Sequence, residues 1–402
     1  MQKVLLILIV FSSTASLFLV LVTSIVFRKN TPSSKSTSEK LPPVSILKPL
    51  RGEDPELEQN LEPFFKQDYP EYEIIFACED TDDPALRVVQ ALQKGFPQIP
   101  VKVKADKASY GYNPKVNNLI RAYAVASHDI ILTGDSDVRP PRNYLRTIVA
   151  ELLKDNNKMV VNPIYGQGDN SLGSILETLH LNSLILSGLA LLTIYRKKLA
   201  GFGKSMLFRR ADLEAAGGFT ALKDFFAEDY VLAERISRPP GRCHISGMLL
   251  PCITSQRSLQ QFINRHGRWA QARRRIAGWS YPSELLANPI WWGLLYGVTN
   301  LFSWAGLKVF LSSVIFKILL DGYQGVTIAK NRQLATYLLV PLKDLLTGII
   351  WFYPLITDTV YWRGVRLRVT AGTELKEAGR RKILGVRLPK ISIRRWLSRS
   401  DS

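Results

Sequence analysis

The sequence predicts a Rossmann-like α/β domain held at a membrane by apolar segments at both ends. Three observations carry that expectation. Short apolar runs alternate with amphipathic stretches between residues 43 and 257, residues 4–26 hold no charge, and two more apolar regions lie near the C-terminus. The expected organisation is an anchor at 1–28, a linker at 29–42, the α/β domain at 43–257, an amphipathic interface helix at 258–290, transmembrane helices at 291–362 and a basic cytoplasmic tail at 363–402.

The apolar run at 4–26 exceeds the core of a secretory signal, and no small-x-small site closes it, so it reads as a retained anchor. Arg28, Lys29, Lys35 and Lys40 follow it, which places the rest of the chain in the cytoplasm. Residues 31–40 form a Ser/Thr/Lys linker. The far apolar regions cover about 291–320 and 334–361; Lys308 and Lys317 interrupt the first, so part of it is expected in the interface. The tail carries Arg363, Arg366, Arg368, Lys376 and further basic residues to Arg399 against only Glu374, Glu377 and Asp401. Three crossings in total return that tail to the cytoplasm.

Residues 179–195 carry no acid, lysine or arginine and approach spanning length. A single crossing there would put the acidic groups before and after it on opposite faces of the membrane. The stretch is therefore read as a helix in the interface or beside an acceptor entrance. The net charge of +19 raises a nucleic-acid reading, but the basic residues cluster beside apolar segments, where anionic lipid attracts each by about 1 kcal/mol. Membrane lipid is the expected partner and nucleic acid is not. Cys78, Cys243 and Cys252 form no Cys-x-x-Cys pair, so neither a disulfide framework nor a zinc site is indicated.

Within the α/β region, residues 44–47, 73–78, 101–103 and 130–133 read as buried strands, with helices at 84–93 and 114–126. The fourth strand runs into Asp135-Ser136-Asp137. Carboxylates at the carboxyl end of such a strand lie where ligands bind, and they suit a divalent cation shared with a substrate's phosphates. In isolation the triplet reads more readily as a solvated turn. At 111–119, Asn113 suits an N-cap and Pro114 the first helical position, while Val116, Leu119, Ile120 and Tyr123 share an apolar face. Free amides there, with Lys115, are expected to cradle phosphate. Glu228-Asp229 opens a helix over 230–236, and a carboxylate held there beside a sugar suits a general base. Ser258-Leu259-Gln260-Gln261 resembles a capping box. On the helix that follows, Arg265 and Arg268 are neighbours with Trp269 beside them, fit to neutralise a departing pyrophosphate. Arg273, Arg274 and Arg275 are expected mainly at lipid headgroups.

These segments occur together in a recognisable order. Lys48-Pro49-Leu50, Cys78-Glu79-Asp80, Asn113-Pro114-Lys115-Val116-Asn117-Asn118-Leu119, Asp135-Ser136-Asp137, Glu228-Asp229 and Arg265-His266-Gly267-Arg268-Trp269 resemble the motifs of processive-type inverting glycosyltransferases, the last matching Q/R-x-x-R-W. More narrowly the chain is similar to the ceramide glucosyltransferase family and its bacterial relative, the hopanoid-linked glycosyltransferase. The likeness spans nearly the whole chain, including Trp362-Arg363 through Leu367-Arg368.

The resemblance implies a GT-A (Rossmann-like) domain that transfers a hexose, with glucose the leading choice, from a UDP-sugar to the primary hydroxyl of ceramide, with a divalent cation, Mg²⁺ or Mn²⁺. It implies that Asp80 contacts the uridine, that Lys48 and Lys115 line the nucleotide pocket, and that Asp135 and Asp137 engage nucleotide and metal, Asp137 most directly. Asp229 is implied as the base, and Arg265, Arg268 and Trp269 as the pyrophosphate side. Gly203-Lys204-Ser205-Met206 resembles the family's Gly-x-Ser loop near the acceptor. One departure concerns the acceptor: where animal ceramide enzymes carry a His downstream of a Leu-Glu pair, Leu176-Glu177 is followed at that spacing by Ile185, with His180 out of register. Two alternatives stay open on the sequence, N-acetylglucosaminyl transfer to a hopanoid and a non-catalytic protein that only binds nucleotide-sugar. The expected place is a bacterial inner membrane with the site facing the cytoplasm, or the Golgi in a eukaryotic host.

Overall fold

The computed structural model describes residues 1–29, 41–154, 156–194, 202–238, 241–362 and 365–378, with the backbone of a short strand pair at 382–383 and 386–387. The linker at 31–40 and most of the basic tail lie outside the described residues. A long N-terminal helix, α1 (Gln2–Lys29), precedes the first half of an α/β domain: β1 (Val44–Pro49), α2 (Leu57–Phe65), β2 (Tyr72–Cys78), α3 (Ala85–Gly95), β3 (Val101–Ala105), α4 (Pro114–Tyr123) and β4 (Ile130–Thr133). The second half comprises α5 (Tyr144–Leu152), β5 (Asn157–Val161), β6 (Ile164–Gln167), α6 (Leu172–His180) and α7 (Leu186–Ile194) joined by a π-helical turn, β7 (Met206–Arg209), α8 (Arg210–Ala215), α9 (Glu228–Ile236), β8 (Arg242–Ile245) and β9 (Leu250–Ile253).

Seven strands form the main sheet in the order β3-β2-β1-β4-β7-β5-β8. All its pairings are parallel except those of β7, which runs antiparallel to β4 and β5. The largely apolar character of β1 and β4 follows from this: central strands of a sheet covered on both faces bury nearly every position. Val44, Ile46 and Leu47 have no exposed surface, and all four residues of β4 are buried. One core packs α2, α3 and α5 against one face, and another packs α4 and α9 against the other. Central β1 and β4 lie side by side, and at their carboxyl ends the buried Lys48 supports the Asp135 backbone while Asp135 faces a crevice. That is where a doubly wound sheet binds ligands.

Local chemistry sets the helix starts. Asn113 caps α4 by accepting from the amides of Lys115 and Val116. Ser258 and Gln261 form a full capping box at the start of α10 (Leu259–Ala277). Beyond α10 come the short α11 (Ser283–Leu286), α12 (Pro289–Thr299), α13 (Trp304–Thr327) and α14 (Val340–Ile356), then a three-stranded antiparallel sheet, β10 (Thr359–Trp362), β11 (Val365–Val369) and β12 (Leu375–Glu377). The anchor α1 packs against α7, α12 and α13, and α14 packs against α10.

Among the described residues, three helical stretches are long and apolar enough to cross a membrane by length and composition: Gln2–Arg28, Leu172–Ile194 and Leu334–Ile356. The sequence led us to expect a span within 291–320. That region is instead broken at 300–303, where Leu301 and Phe302 adopt positive φ, and it continues into a helix carrying Lys308, Lys317 and Asp321. The middle stretch is of another kind from its neighbours. Of its apolar window 67% is buried within the protein, against 28% and 33% for the other two, so protein rather than lipid covers most of it.

Candidate active site

Asp135 and Asp137 follow β4 directly, and a bond from the Ile253 amide to the Asp137 carbonyl ties the turn to β9. Their carboxylates converge on one cation, the ammonium of Lys204, whose Nζ lies 2.5 and 2.6 Å from the two Asp137 oxygens and 3.1 Å from Asp135 Oδ2. The other Asp135 oxygen meets Lys115 Nζ at 2.8 Å. Burial alone would raise both carboxylates. Lys115 and Lys204 outweigh it at Asp135, and Lys204 and Arg265 do so at Asp137, holding each below the usual carboxylate range.

Lys115 lies between two acidic pairs. Besides Asp135 it reaches Glu228 Oε1 at 3.1 Å, and it donates to the Gly203 carbonyl. Burial would lower its pKa, but Asp135, Glu228 and Asp229 raise it, so the ammonium stays charged. Glu228 and Asp229 open α9, and Glu228 also accepts from the buried Asn113 amide. Asp229 accepts from the amides of Gly203 and Tyr230. Burial first, and Glu228 second, push the Asp229 carboxyl up to about 6 against the pull of Lys115. The approach of the 203 loop is close: a Cβ at Gly203 would stand 2.4 Å from Lys115 Nζ and 3.3 Å from Asp229 Oδ2, so a side chain there would displace the Lys115 ammonium.

Arg265, Arg268 and Trp269 share a face of α10. The Arg265 guanidinium stacks 4.9 Å over the Trp269 ring and reaches Asp137 at 3.6 Å. Behind it the Glu177 carboxylate, with no exposed surface, contacts Arg265 at 3.2 Å and Arg257 at 3.0 Å. Arg268 is half-buried and has no ionic partner among the described residues, and burial lowers its pKa.

Lys115, Asp135, Lys204, Glu228, Asp229 and the Arg265-Arg268-Trp269 face line one cavity of about 540 Å³. Its opposite wall is apolar, built from Leu184, Leu189 and Leu192 around α7, Ile276 of α10, and Phe226 with Trp362. Those last two rings meet edge to face at 5.3 Å. Trp362 arrives from β10, whose sheet is bonded to the loop before the acidic pair: the Phe226 amide donates to Thr373 and the Leu375 amide to Asp224. The stretch 179–195, expected beside an acceptor entrance, thus contributes a wall of the cavity, up to Leu192.

Three expected donor-side residues do not line this cavity: Asp137, whose carboxylate is held by Lys204, and Lys48 and Asp80. Lys48 has no exposed surface and does not line the cavity. Its Nζ supports the Asp135 carbonyl at 2.9 Å and lies over the Phe64 ring, and burial pushes it down to about 7 against the pull of Asp135 and Asp137. Asp80 lies at the mouth of a separate cleft of about 520 Å³ with Arg51, Glu79, Asp83 and Lys107. The amides expected to cradle phosphate at the start of α4 are also committed, since the Asn113 side chain already caps two of them. Lys204, Glu177, Arg257 and Trp362 are site residues the sequence reading did not assign. Gly203-Lys204-Ser205 and Leu176-Glu177 were visible as motifs, but nothing in their spacing places Lys204 on the Asp pair or Glu177 behind two arginines.

Comparison with known proteins agrees with this geometry. The sequence profile of glycosyl transferase family 21 matches residues 5–375. The chain belongs to that family. It is similar to ceramide glucosyltransferase 1 of Caenorhabditis elegans, 25% identical over 346 residues that cover 84% of this chain and 73% of that one. A shorter match to the ceramide glucosyltransferase of Komagataella phaffii is 40% identical over 113 residues, 26% of this chain and 22% of that one. Among solved structures, the mannosyltransferase PcManGT from Pyrobaculum calidifontis, in complex with GDP-Man and Mn²⁺, aligns with a TM-score of 0.53 at 16% identity over 87% of this chain and 98% of that one, a likeness of fold. The family 21 chain is therefore a membrane-associated glycosyltransferase with a GT-A fold, and the non-catalytic alternative is set aside.

Proposed function

We propose that this family 21 enzyme transfers a hexose from a UDP-sugar to the primary hydroxyl of a lipid, with ceramide as acceptor and glucose as the leading sugar. One observation carries the reading: a single cavity joins a raised carboxylate, an unpartnered guanidinium and a wall of leucine side chains from a helix beside the membrane anchor. An acceptor with a hydroxyl at one end and hydrocarbon at the other matches that gradient. The relatives named ceramide glucosyltransferase support the acceptor class.

The proposed chemistry is one inverting displacement. Asp229 accepts the proton of the acceptor hydroxyl, the hydroxyl oxygen bonds to the anomeric carbon, and the bond from that carbon to the diphosphate breaks on the opposite face. Arg268, Arg265 and Lys115 hold the charge that develops on the leaving UDP. A divalent cation, Mg²⁺ or Mn²⁺, fits the Asp pair, because both carboxylates already converge on one cation, the Lys204 ammonium. Asp135 and Asp137 would hold it, and when bound it supplies charge neutralisation of the diphosphate. We read Asp80 and its cleft as the base-binding end of the donor site. The basic residues flanking the apolar segments support a cytoplasm-facing site.

The test presents purified, detergent-solubilised protein with UDP-glucose, UDP-galactose, UDP-glucuronic acid and UDP-N-acetylglucosamine, each with ceramide, diacylglycerol and hopanoid acceptors, and identifies products by mass spectrometry. A β-hexosylceramide as the main product is expected. Exclusive glycosylation of hopanoid, or of a water-soluble contaminant, overturns the reading.

A further inference from the structure

A small polar niche of about 60 Å³ opens beside the large cavity, in the layer where α6, α13 and α14 meet. The two spaces share Leu19, Leu184, Arg273, Glu284 and Ala287 as lining, so the niche is a side chamber of the acceptor space. Arg273 stands four residues after Trp269 and therefore on the same side of α10 as the catalytic arginines. The expectation that Arg273 rests mainly on lipid headgroups does not match this position.

The charges in the niche balance one another. Lys343 reaches Asp321 at 2.9 Å and Asp344 at 2.7 Å, Lys317 is bonded to Asp321 and lies 3.9 Å from Asp344, and Arg273 is bonded to Glu284 at 2.9 Å. Other bonding capacity is left over. Arg273 Nη1, His180 Nε2, Asn288 Oδ1 and Asp344 Oδ2 are buried with no hydrogen-bond partner among the described residues. His180 and Asp344 are themselves 1% and 4% exposed. Asn288 Nδ2 and Trp291 Nε1 are both spent on the Asp344 carbonyl, which leaves Asn288 Oδ1 free. Unmet donors and acceptors thus meet in one chamber contiguous with the lipid space. Buried polar atoms are ordinarily satisfied, and four together mark a place that something polar fills.

We propose that the niche receives a second polar group of the acceptor lipid, a neutral amide or hydroxyl that both donates and accepts, and that it selects amide-bearing lipids over lipids whose linkages are esters. This rests on the reading of the large cavity as a lipid-acceptor site. A charged headgroup would disturb a cluster whose cations and anions already match, at high cost in a buried setting. An ester offers only acceptors and would leave Asn288 Oδ1 and Asp344 Oδ2 without a donor, whereas a secondary amide or a hydroxyl satisfies both kinds of group.

The test uses the full chain in detergent and three lipids: a short-chain ceramide, its N-methyl amide analogue and dioctanoylglycerol. Each is measured by turnover and by displacement of a fluorescent short-chain ceramide. The native protein should favour the ceramide by about tenfold in kcat/KM, the worth of one hydrogen bond to a buried group, with the difference mainly in KM and repeated in displacement. Asn288→Ala should cut that preference to about twofold or less while UDP-sugar affinity stays native. Equal use of the three lipids by the native protein overturns the proposal and leaves ordered water as the niche's occupant. So does a preference that survives Asn288→Ala, because the added methyl group would then be excluded by bulk alone. Should Asn288→Ala fail to fold, Asn288→Leu, which keeps the volume and removes the amide oxygen, takes its place with the same expected outcome. Selective ceramide binding without glycosylation would sustain the niche and overturn the proposed function instead; no binding of any of the lipids overturns both.

Discussion

The two sides of the cavity are made of opposite materials. On the sheet side, Asp135, Glu228 and Asp229 line the space with Lys115, Lys204 and Arg265, Asp137, Glu177 and Arg257 pair with these groups without lining it, and nearly every charge is met by another within 4 Å. On the membrane side, leucines of α7, Ile276 of α10 and the Phe226–Trp362 pair present hydrocarbon. A phosphorylated sugar needs preorganised charge, and a lipid needs a surface that does not hold water. The proposed reaction would lie at the seam, where Asp229, Lys115 and the apolar residues line one space. If the division holds, variants on the sheet side should damage kcat and donor binding, and variants on the membrane side should damage acceptor KM.

The largest effect is expected at the Asp pair. Asp137→Ala should lower turnover by at least about a thousandfold, since charge neutralisation by a metal at the diphosphate is worth about 4 kcal/mol. Excess chelator should do the same to the native enzyme, and added Mn²⁺ should restore the native enzyme alone. Full turnover in chelator would show that Lys204 and the arginines suffice on the donor side.

At the seam itself, Asp229→Asn should cost at least about a hundredfold in turnover. With the native carboxyl raised to about 6, kcat/KM should fall as pH drops through about 6, and the variant should lose that limb. The sign for stability is opposite. A carboxyl raised above its unfolded value lends stability that is full below pH 4 and is lost as pH rises through about 6. At pH 7.5 the ionised group is therefore a net burden, and the thermal midpoint of Asp229→Asn, read by calorimetry, should not fall below the native one. A lower midpoint with modest loss of turnover would make Asp229 a structural residue.

Glu177→Gln tests whether the arginines depend on a buried partner. With the carboxylate neutralised, Asp137 is the counter-charge left within 4 Å of Arg257 and Arg265 among the described residues. Breaking a buried pair costs about 3–5 kcal/mol of stability. We expect kcat to fall about 10- to 100-fold, the donor KM to rise and the acceptor KM to stay. An acceptor KM that rises alone would move Glu177 to the other side of the seam.

The legibility of these two sides differs for a physical reason. Donor groups sit on short segments whose local grammar is strong. Alternating strands and helices, a strand ending in Asp135-Ser136-Asp137, an Asn113-Pro114 helix start and a Ser258 capping box can all be read in windows of a few residues, and the structure places them near the expected bounds. The acceptor side is assembled from stretches more than 150 residues apart in sequence, among them α7 and β10, and hydrocarbon carries no motif. Apolar length was a poor guide for the same reason: 291–320 resembled one span, yet charged Lys317 and Asp321 belong to a buried network with Lys343 and Asp344, partners that only the packing of α13 on α14 reveals. Lys204 shows the limit on the donor side, since a lysine in a Gly-x-Ser loop gives no local sign of the carboxylates it will meet.

The smallest effect is expected at Trp362, and it tests the division most sharply, because the residue touches no charge of the donor side. Its ring closes the cavity against Phe226, and its sheet is tied through Val360, Leu367, Val369 and Leu375 to the loop that precedes Glu228. Two roles are thus open to this residue, a wall for the proposed acceptor or a brace for the loop before Glu228. Truncating to alanine removes the ring and leaves the backbone bonds from Phe226 to Thr373 and from Leu375 to Asp224 in place. If the ring serves as a wall, Trp362→Ala should raise the acceptor KM about tenfold, as loss of an aromatic contact worth roughly 0.5–1.5 kcal/mol plus some buried area would give. The kcat and the UDP-sugar affinity should stay within about twofold, and Trp362→Phe, which keeps an aromatic face toward Phe226, should recover most of the loss. If the ring serves as a brace, the loop shifts with it: kcat should then fall while KM holds, and the acid limb expected from Asp229 should move, because the raised pKa of that carboxyl depends first on its burial and second on Glu228 beside it.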